Sequence, residues 1–104
     1  AFGDWTVDFS KLELRSDTGE YQDLTASEFK LLEVFVKNAK RVLTRDQLMD
    51  HLKGHNWSPL DRSIDNQIAR LRRKIEQDSK NPRFIKTIRG AGYSFTADVT
   101  GNIA

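Results

Sequence analysis

The chain has 104 residues, of which 31% are charged and 38% are hydrophobic, and this length and composition predict one globular domain over residues 1–104. It contains no cysteine, which excludes a disulfide scaffold, a thiolate metal site and a cysteine nucleophile. The longest mainly apolar stretch, Leu31–Val36, is too short to span a bilayer. No charged and then apolar leader opens the chain, so we expect no secretory signal, no membrane partner and a cytoplasmic location.

The charge of the chain is distributed unevenly. Residues 1–24 carry two basic and six acidic residues, a net charge of −4, whereas residues 61–92 carry nine basic and four acidic residues, a net charge of +5. A basic half on a small domain indicates a polyanionic partner, but it is equally typical of a solvated helix face. The residue pattern has to separate these two interpretations.

The N-terminal segment, residues 3–24, is predicted to form short strands. Apolar residues alternate with polar ones in two runs, which are Trp5, Val7 and Phe9, then Leu12 and Leu14. A turn cluster, Ser16–Gly19, follows the second run.

Two capping boxes, in which a threonine precedes a glutamate or glutamine by three residues, predict the starts of two helices. The first box, Thr25–Glu28, opens a helix that should end near Asn38. The second box, Thr44–Gln47, opens a short helix through about Leu52, and glycine and proline residues predict a loop over 53–60. The apolar residues predicted to face inward are Phe29, Leu32, Phe35 and Val36 in the first helix, and Leu48 and Met49 in the second.

Residues 61–75 carry the most regular helical pattern. Apolar residues recur there at spacings of four, three and four, on one narrow stripe formed by Ile64, Ile68, Leu71 and Ile75. Two β-prone runs, Phe84–Ile88 and Tyr93–Thr96, flank the glycine-containing turn Arg89–Gly92 and predict a β-hairpin. Strands in 1–24, three helices in 25–80 and a hairpin in 84–96 predict an α+β fold. In it, the second and third helices form a helix-turn-helix variant and the hairpin is its wing.

The side of the third helix opposite its apolar stripe carries groups that suit DNA. A rotation of 100° per residue puts Arg62, Asn66, Ala69 and Arg73 there, with Arg70 at the flank. Arginine binds guanine edges and phosphates, and asparagine binds adenine edges. An ordinary solvated helix remains the alternative.

The hairpin turn offers a second basic group. Arg89 at the tip of a narrow hairpin can enter a minor groove, where the negative potential is strongest. A glycine turn that happens to hold an arginine is the alternative, and the basic helix beside it favours the first interpretation.

Five segments resemble the DNA-binding domain of response regulators of the OmpR/PhoB type, a winged helix. They are LTASEFKLL at 24–32, VLTRDQL at 42–48, DRSID at 61–65, IARLRRKI at 68–75 and IRGAGY at 88–93. The resemblance implies an N-terminal antiparallel four-stranded sheet, three helices with a recognition helix at 61–75, and a C-terminal wing. It also implies the effector domain of a two-component transcriptional regulator, whose phosphorelay acts through a receiver domain elsewhere in the full protein. Two copies are then expected to bind tandem promoter half-sites as a dimer on DNA, with residues 53–60 able to contact RNA polymerase.

The resemblance also carries over individual contacts. Positions that often face DNA in the family are Arg62, Ser63, Asn66, Gln67, Arg70 and Arg72 in the recognition helix, Thr87, Arg89 and Tyr93 in the wing, and Arg45 at the start of the second helix. Arg73 joins them from the helical pattern. For Trp57 the sequence leaves two alternatives, which are packing against the third helix and anchoring a protein partner.

Catalytic and metal sites are not expected. His51 and His55 are four residues apart, but Gly54 is predicted to end the helix between them and no third ligand is evident. Acidic residues are scattered, with no nucleophile and base that the sequence brings together, so we expect no enzyme activity and no cofactor.

We therefore expect sequence-specific binding of duplex DNA, with Asn66 and Arg70 at base edges and Arg89 in the minor groove. The residues expected to hold phosphates are Arg62, Ser63, Arg72 and Thr87. The alternative is a winged helix that binds an acidic protein partner, and a helix face with an asparagine and several arginines favours DNA over it.

Overall fold

A computed structural model of the chain describes residues 1–52, 64–78 and 80–100. Within these ranges the elements are β1 (Trp5–Asp8), β2 (Glu13–Ser16), α1 (Ala26–Lys37), β3 (Val42–Leu43), α2 (Arg45–Leu52), α3 (Ile64–Ile75), β4 (Ile85–Ile88) and β5 (Gly92–Phe95). This order of strands, three helices and hairpin is the predicted α+β winged helix. The predicted loop at 53–60, with Trp57 and His55, and the first three residues of the predicted recognition helix lie outside the described residues.

Both capping boxes form. The Thr25 N–H donates to the Glu28 carboxylate over 2.8 Å, and the Glu28 N–H donates to the Thr25 hydroxyl over 3.1 Å. Thr44 and Gln47 make the same reciprocal pair, at 2.9 and 3.1 Å. Each box satisfies two N–H groups that a helix start leaves without partners, so α1 and α2 begin where the sequence predicts.

The N-terminal sheet has two strands in the described residues, not the four that the resemblance implied. β1 and β2 pair antiparallel, from Trp5 opposite Ser16 to Asp8 opposite Glu13. The chain then returns beside β2 through a turn at Gly19 (φ +90°), but it makes only the single bridge between Arg15 and Tyr21. The residues between Tyr21 and the start of α1 form no further strand.

Leu12 is not a strand residue, and its predicted place in the second apolar run is wrong. It lies in the turn between β1 and β2 with φ +53° and is 51% exposed. The Asp8 carboxylate accepts the backbone N–H groups of Ser10 and Lys11 there. This side-chain cap closes the turn locally, so the strand begins one residue later.

The C-terminal sheet has three strands in the order β3–β5–β4. The hairpin pairs Ile85 with Phe95 and Ile88 with Gly92 at its ends. The short strand β3, which the sequence pattern did not predict, pairs Leu43 with Tyr93 on the other side of β5. Two residues are too few for an alternating pattern, so the pairing depends on the neighbouring strand.

One buried core joins both sheets and all three helices. Aromatic rings form its centre: Phe95 lies 5.1 Å from Phe2 and 6.4 Å from both Phe35 and Phe84, between ring centroids. The Trp5 indole N–H donates to the Ile75 carbonyl over 2.9 Å and ties the N-terminal sheet to the end of α3. No helix among the described residues has the length and apolarity needed to cross a membrane.

Candidate nucleic-acid interface

The apolar stripe of α3 is buried as predicted. Ile68 and Leu71 have no exposed surface, and Ile64 and Ile75 are 7% and 2% exposed. The stripe packs α3 against α1 and α2, so the other sides of the helix are the ones that can meet a ligand.

The side of α3 toward the wing is occupied by Arg72. Its Nε donates to the Ile85 carbonyl over 3.0 Å, and its Nη2 donates to the Thr87 hydroxyl over 2.8 Å. Its guanidinium also lies 5.6 Å from the centroid of the Tyr93 ring. Arg72 and Thr87 are therefore brought together, and their contacts fix the hairpin against α3.

Asp65, at the start of α3, connects three elements. One of its carboxylate oxygens accepts from the Arg45 Nε at 3.0 Å and from the Tyr93 hydroxyl. These two bonds, first that of Tyr93 and then that of Arg45, hold the pKa of Asp65 below its usual range. Burial and the bond to Asp65 raise the pKa of Tyr93, so Asp65 is ionised and Tyr93 neutral at pH 7.

The opposite side of α3 meets the start of α1. Lys74 donates to the Glu28 carboxylate over 2.7 Å, and Glu28 is only 2% exposed. Burial raises the pKa of Glu28, but its bonds with Lys74 and Thr25 outweigh that effect, so the pKa lies below its usual value. Lys74 therefore stabilises the packing of α3 against α1 through this ion pair.

Exposed polar groups remain on the fourth side of α3. Asn66, Arg70 and Arg73 are exposed, and Gln67 and Ala69 are half-buried. Gln67, Arg70 and Arg73 line one groove with residues at the start of α1. This groove brings three of the predicted contacts together beside an ordered helix surface.

The wing turn carries Arg89 exposed at its tip. The Ala91 N–H donates to the Ile88 carbonyl over 2.9 Å to close the turn. Gly92 has φ +143°, and a Cβ there would lie 2.1 Å from the Leu43 carbonyl oxygen. The glycine is therefore needed where the wing passes β3.

A second groove lies between the wing and the start of α2. Its lining includes four predicted contact residues, which are Arg45, Thr87, Arg89 and Tyr93. Tyr93 is 7% exposed, and its hydroxyl donates to Asp65, so it forms the groove floor. Arg45 is 65% exposed at the groove edge.

A third groove contains basic residues that the sequence pattern did not single out. Lys80 and Lys86 line it together with Arg72 and Thr87. Lys86 neighbours Thr87 on the exposed part of β4, and the only sequence signal for it was the basic charge beside a predicted wing contact.

Two predicted contacts, Arg62 and Ser63, lie outside the described residues. The metal interpretation rested on His51, which is exposed, and His55, which is also outside them. Among residues 1–52, 64–78 and 80–100, no three histidine, cysteine or acidic side chains group in a way that could hold a metal ion.

Comparison with known proteins identifies the family of this chain. The family model described as "Transcriptional regulatory protein, C terminal" matches residues 19–95. The chain is 48% identical over 96 residues to the transcriptional regulatory protein AruR of Pseudomonas aeruginosa, covering 92% of this chain and 39% of AruR. It is 46% identical over 99 residues to the regulatory protein VirG of Agrobacterium fabrum, covering 95% of this chain and 39% of VirG. The chain thus spans about two fifths of the length of these relatives.

Solved structures agree with the fold. The crystal structure of the Klebsiella pneumoniae RstA DNA-binding domain in complex with the RstA box superposes with a TM-score of 0.78 at 33% identity, over 92% of this chain and 94% of that one. The response regulator DrrB of Thermotoga maritima, an OmpR/PhoB homologue, gives a TM-score of 0.79 at 38% identity, over 92% of this chain and 43% of that one.

Proposed function

The chain belongs to the transcriptional regulatory protein C-terminal family, the winged-helix effector domains of OmpR/PhoB-type response regulators, and from this premise we propose how it binds duplex DNA. In our proposal α3 enters the major groove, where Asn66 and Arg70 contact base edges. The wing follows the DNA backbone, and Arg89 enters the adjacent minor groove.

One observation carries this proposal: some polar residues of α3 bond to the rest of the fold, and the others remain exposed. Arg72 and Lys74 are held by the wing and by α1, whereas Asn66, Arg70 and Arg73 are exposed on the remaining side. A helix whose apolar and flanking sides are packed, and whose outer side is basic, has the form of a recognition helix.

Phosphate contacts are proposed around this helix. Arg45 and Thr87 line the groove between α2 and the wing, and Arg73 lines the groove beside α1. Arg62 and Ser63, which precede α3 in the sequence, and Gln67 complete the set. Phosphate contacts hold the protein in register without selecting a sequence.

The properties of the full regulator are proposed from the same family. Two copies bind tandem promoter half-sites as a dimer on DNA, residues 53–60 contact RNA polymerase, and a phosphorylated receiver domain controls the assembly. The location is the cytoplasm, where promoter DNA is accessible to the protein. The domain acts by binding alone, without catalysis.

The test is a binding titration against duplexes selected from a random pool. About five phosphate contacts give a slope of roughly −4.5 for log affinity against log salt concentration. Binding that does not change with salt, or a preference for an acidic protein over every duplex, would instead support the protein-interaction alternative.

Two exposed arginines make a matched pair of variants. Arg70→Ala should reduce affinity by about 1–3 kcal/mol and relax the preference at one base position. Arg15→Ala removes the same charge from the exposed surface of β2, and its affinity should stay within about 0.5 kcal/mol of the wild type. A uniform loss for Arg70→Ala across a site library would contradict its contact with a base edge.

A further inference from the structure

The helix α3 (Ile64–Ile75), the described part of the predicted recognition helix, carries one acidic residue among its charged groups. Asp65 lies in the first turn of α3, next to Asn66, and its side chain is 50% exposed. The other charged residues of the helix are basic: Arg70, Arg72, Arg73 and Lys74. A half-exposed carboxylate at a surface that meets phosphates is repulsive to DNA, so its presence requires a compensating role.

The contacts of Asp65 indicate that role. Its carboxylate accepts from the Arg45 Nε of α2 and from the Tyr93 hydroxyl of β5. Tyr93 is itself fixed, because its ring is 7% exposed and lies under the Arg72 guanidinium. Asp65 is therefore held on a rigid element from one side and bonds an exposed arginine on the other.

A guanidinium has five N–H donors in a planar fork, and the bond with Asp65 uses the single donor on Nε. One Nη N–H lies parallel to the Nε N–H on the same edge of the guanidinium, and the other three Nη donors lie on its remaining edges. Arg45 also lines the groove between α2 and the wing, together with Arg89. An arginine anchored through Nε at the edge of this groove presents its outer edge to an incoming anion.

We propose that Asp65 is a positioning residue, which holds the Arg45 guanidinium in the orientation that binds a DNA phosphate in the groove between α2 and the wing. This inference rests on the proposed DNA binding. Without the carboxylate, the 65% exposed Arg45 side chain samples many rotamers, and binding must then immobilise it. The repulsion from the Asp65 carboxylate is reduced because the Arg45 guanidinium pairs with its charge and the Tyr93 hydroxyl donates to it, so the fixed phosphate contact has to outweigh only this remainder.

Charge and position make opposite predictions for variants of Asp65. If Asp65 only repels DNA, Asp65→Asn and Asp65→Ala both remove a negative charge and both bind more tightly. If it positions Arg45, both bind more weakly. The loss is then smaller for Asp65→Asn, which keeps one amide oxygen as an acceptor, and about 3- to 10-fold for Asp65→Ala, which corresponds to the cost of immobilising one long side chain on binding. The salt slope also becomes shallower by about 0.9, which corresponds to one phosphate contact.

The experiment is a double-mutant cycle between positions 65 and 45, measured by fluorescence anisotropy on a selected duplex. In the Arg45→Ala background, Asp65→Ala should no longer weaken binding. Tyr93→Phe serves as the second variant, because it keeps the buried ring and removes only the hydroxyl that supports Asp65. Its loss of affinity should likewise disappear in the Arg45→Ala background. Circular dichroism checks that each variant is folded at the assay temperature.

The outcomes separate the two levels of inference. Failure of the wild-type chain to bind any selected duplex overturns the proposed function. Binding by the wild type with unchanged or tighter binding by Asp65→Ala overturns the positioning role alone. An equal loss for Asp65→Ala with and without Arg45, at an unchanged salt slope, assigns Asp65 to the fold and also overturns the proposal.

Discussion

Two glycines of the wing turn provide a matched test of how the wing is seated. Both have positive φ, +77° at Gly90 and +143° at Gly92. A Cβ on Gly90 has no atom within 4 Å, whereas a Cβ on Gly92 would lie 2.1 Å from the Leu43 carbonyl oxygen and 2.9 Å from the Thr44 Cα. An alanine at each position therefore carries a backbone cost, and only Gly92→Ala adds a steric clash.

The magnitudes follow from these contacts. Positive φ costs a non-glycine residue about 1–2 kcal/mol, which is the whole expected loss for Gly90→Ala. Gly92→Ala must also move β3 away by about 0.9 Å to reach even a 3.0 Å contact. Displacing packed backbone adds about 1–3 kcal/mol, so the total is roughly 2–5 kcal/mol. In a domain of this size, each kcal/mol lowers the melting temperature by about 4–8 °C.

Urea unfolding followed by circular dichroism measures the difference between the two variants. We expect Gly92→Ala to be less stable than Gly90→Ala by about 1–3 kcal/mol, and to bind DNA more weakly because the start of α2 moves with β3. Equal losses of stability would mean that the wing does not pack against Leu43 and Thr44 as described, and would refute this reasoning.

Three further predictions concern single side chains. Arg89→Ala should leave the unfolding free energy within about 0.5 kcal/mol of the wild type and lower DNA affinity, most at A·T-rich flanks; equal losses on A·T- and G·C-rich flanks would contradict a minor-groove contact. Glu76→Gln should destabilise the fold by about 2–3 kcal/mol, because the buried carboxylate accepts the backbone N–H groups of residues 83, 84 and 85. The control Glu20→Gln, at an exposed position, should change the unfolding free energy little, and equal effects of the two variants would argue against this cluster of bonds. The lowered pKa of Glu28 means that its contribution to stability is complete above its ordinary pKa of 4.5 and is lost as the pH falls through the lower native value. Lys74→Met removes the partner that lowers this pKa most and leaves burial opposed only by the Thr25 bonds. The variant should therefore be less stable at neutral pH, and the part of the acid-induced loss of stability that Glu28 contributes should shrink; an unchanged acid limb in urea unfolding would contradict the role of this ion pair.

The helices of this protein were predictable because their signals are local. The starts of α1 and α2 depend on side chains three residues apart, Thr25 with Glu28 and Thr44 with Gln47, which are close in any helix regardless of the rest of the fold. The stripe from Ile64 to Ile75 follows from the period of the helix in the same way. These elements, together with the hairpin, were sufficient to predict the winged helix.

The N-terminal sheet was harder to predict because strand pairing is a property of two segments. Leu12 fits an alternating pattern, but the Asp8 carboxylate closes a turn in front of it and leaves the leucine exposed. The two-residue strand β3 has no pattern of its own and exists through its pairing with Ser94 and Tyr93. In both places a contact outside the alternating run determined the result.

The basic face of α3 was visible in the sequence as a set of arginines at helical spacing. The sequence did not show which of these arginines bond within the fold and which remain exposed. Arg72 and Arg73 are adjacent in the chain, and a rotation of 100° per residue places one beside the wing and the other on the exposed side. What occupies each side depends on residues far away in sequence, such as Thr87 for Arg72 and Glu28 for Lys74, which are 15 and 46 positions distant. The sequence by itself thus determined which residues share a helix face. Only the tertiary structure decided which of them pack against the fold and which remain exposed, because that choice depends on the partners that folding brings to each side.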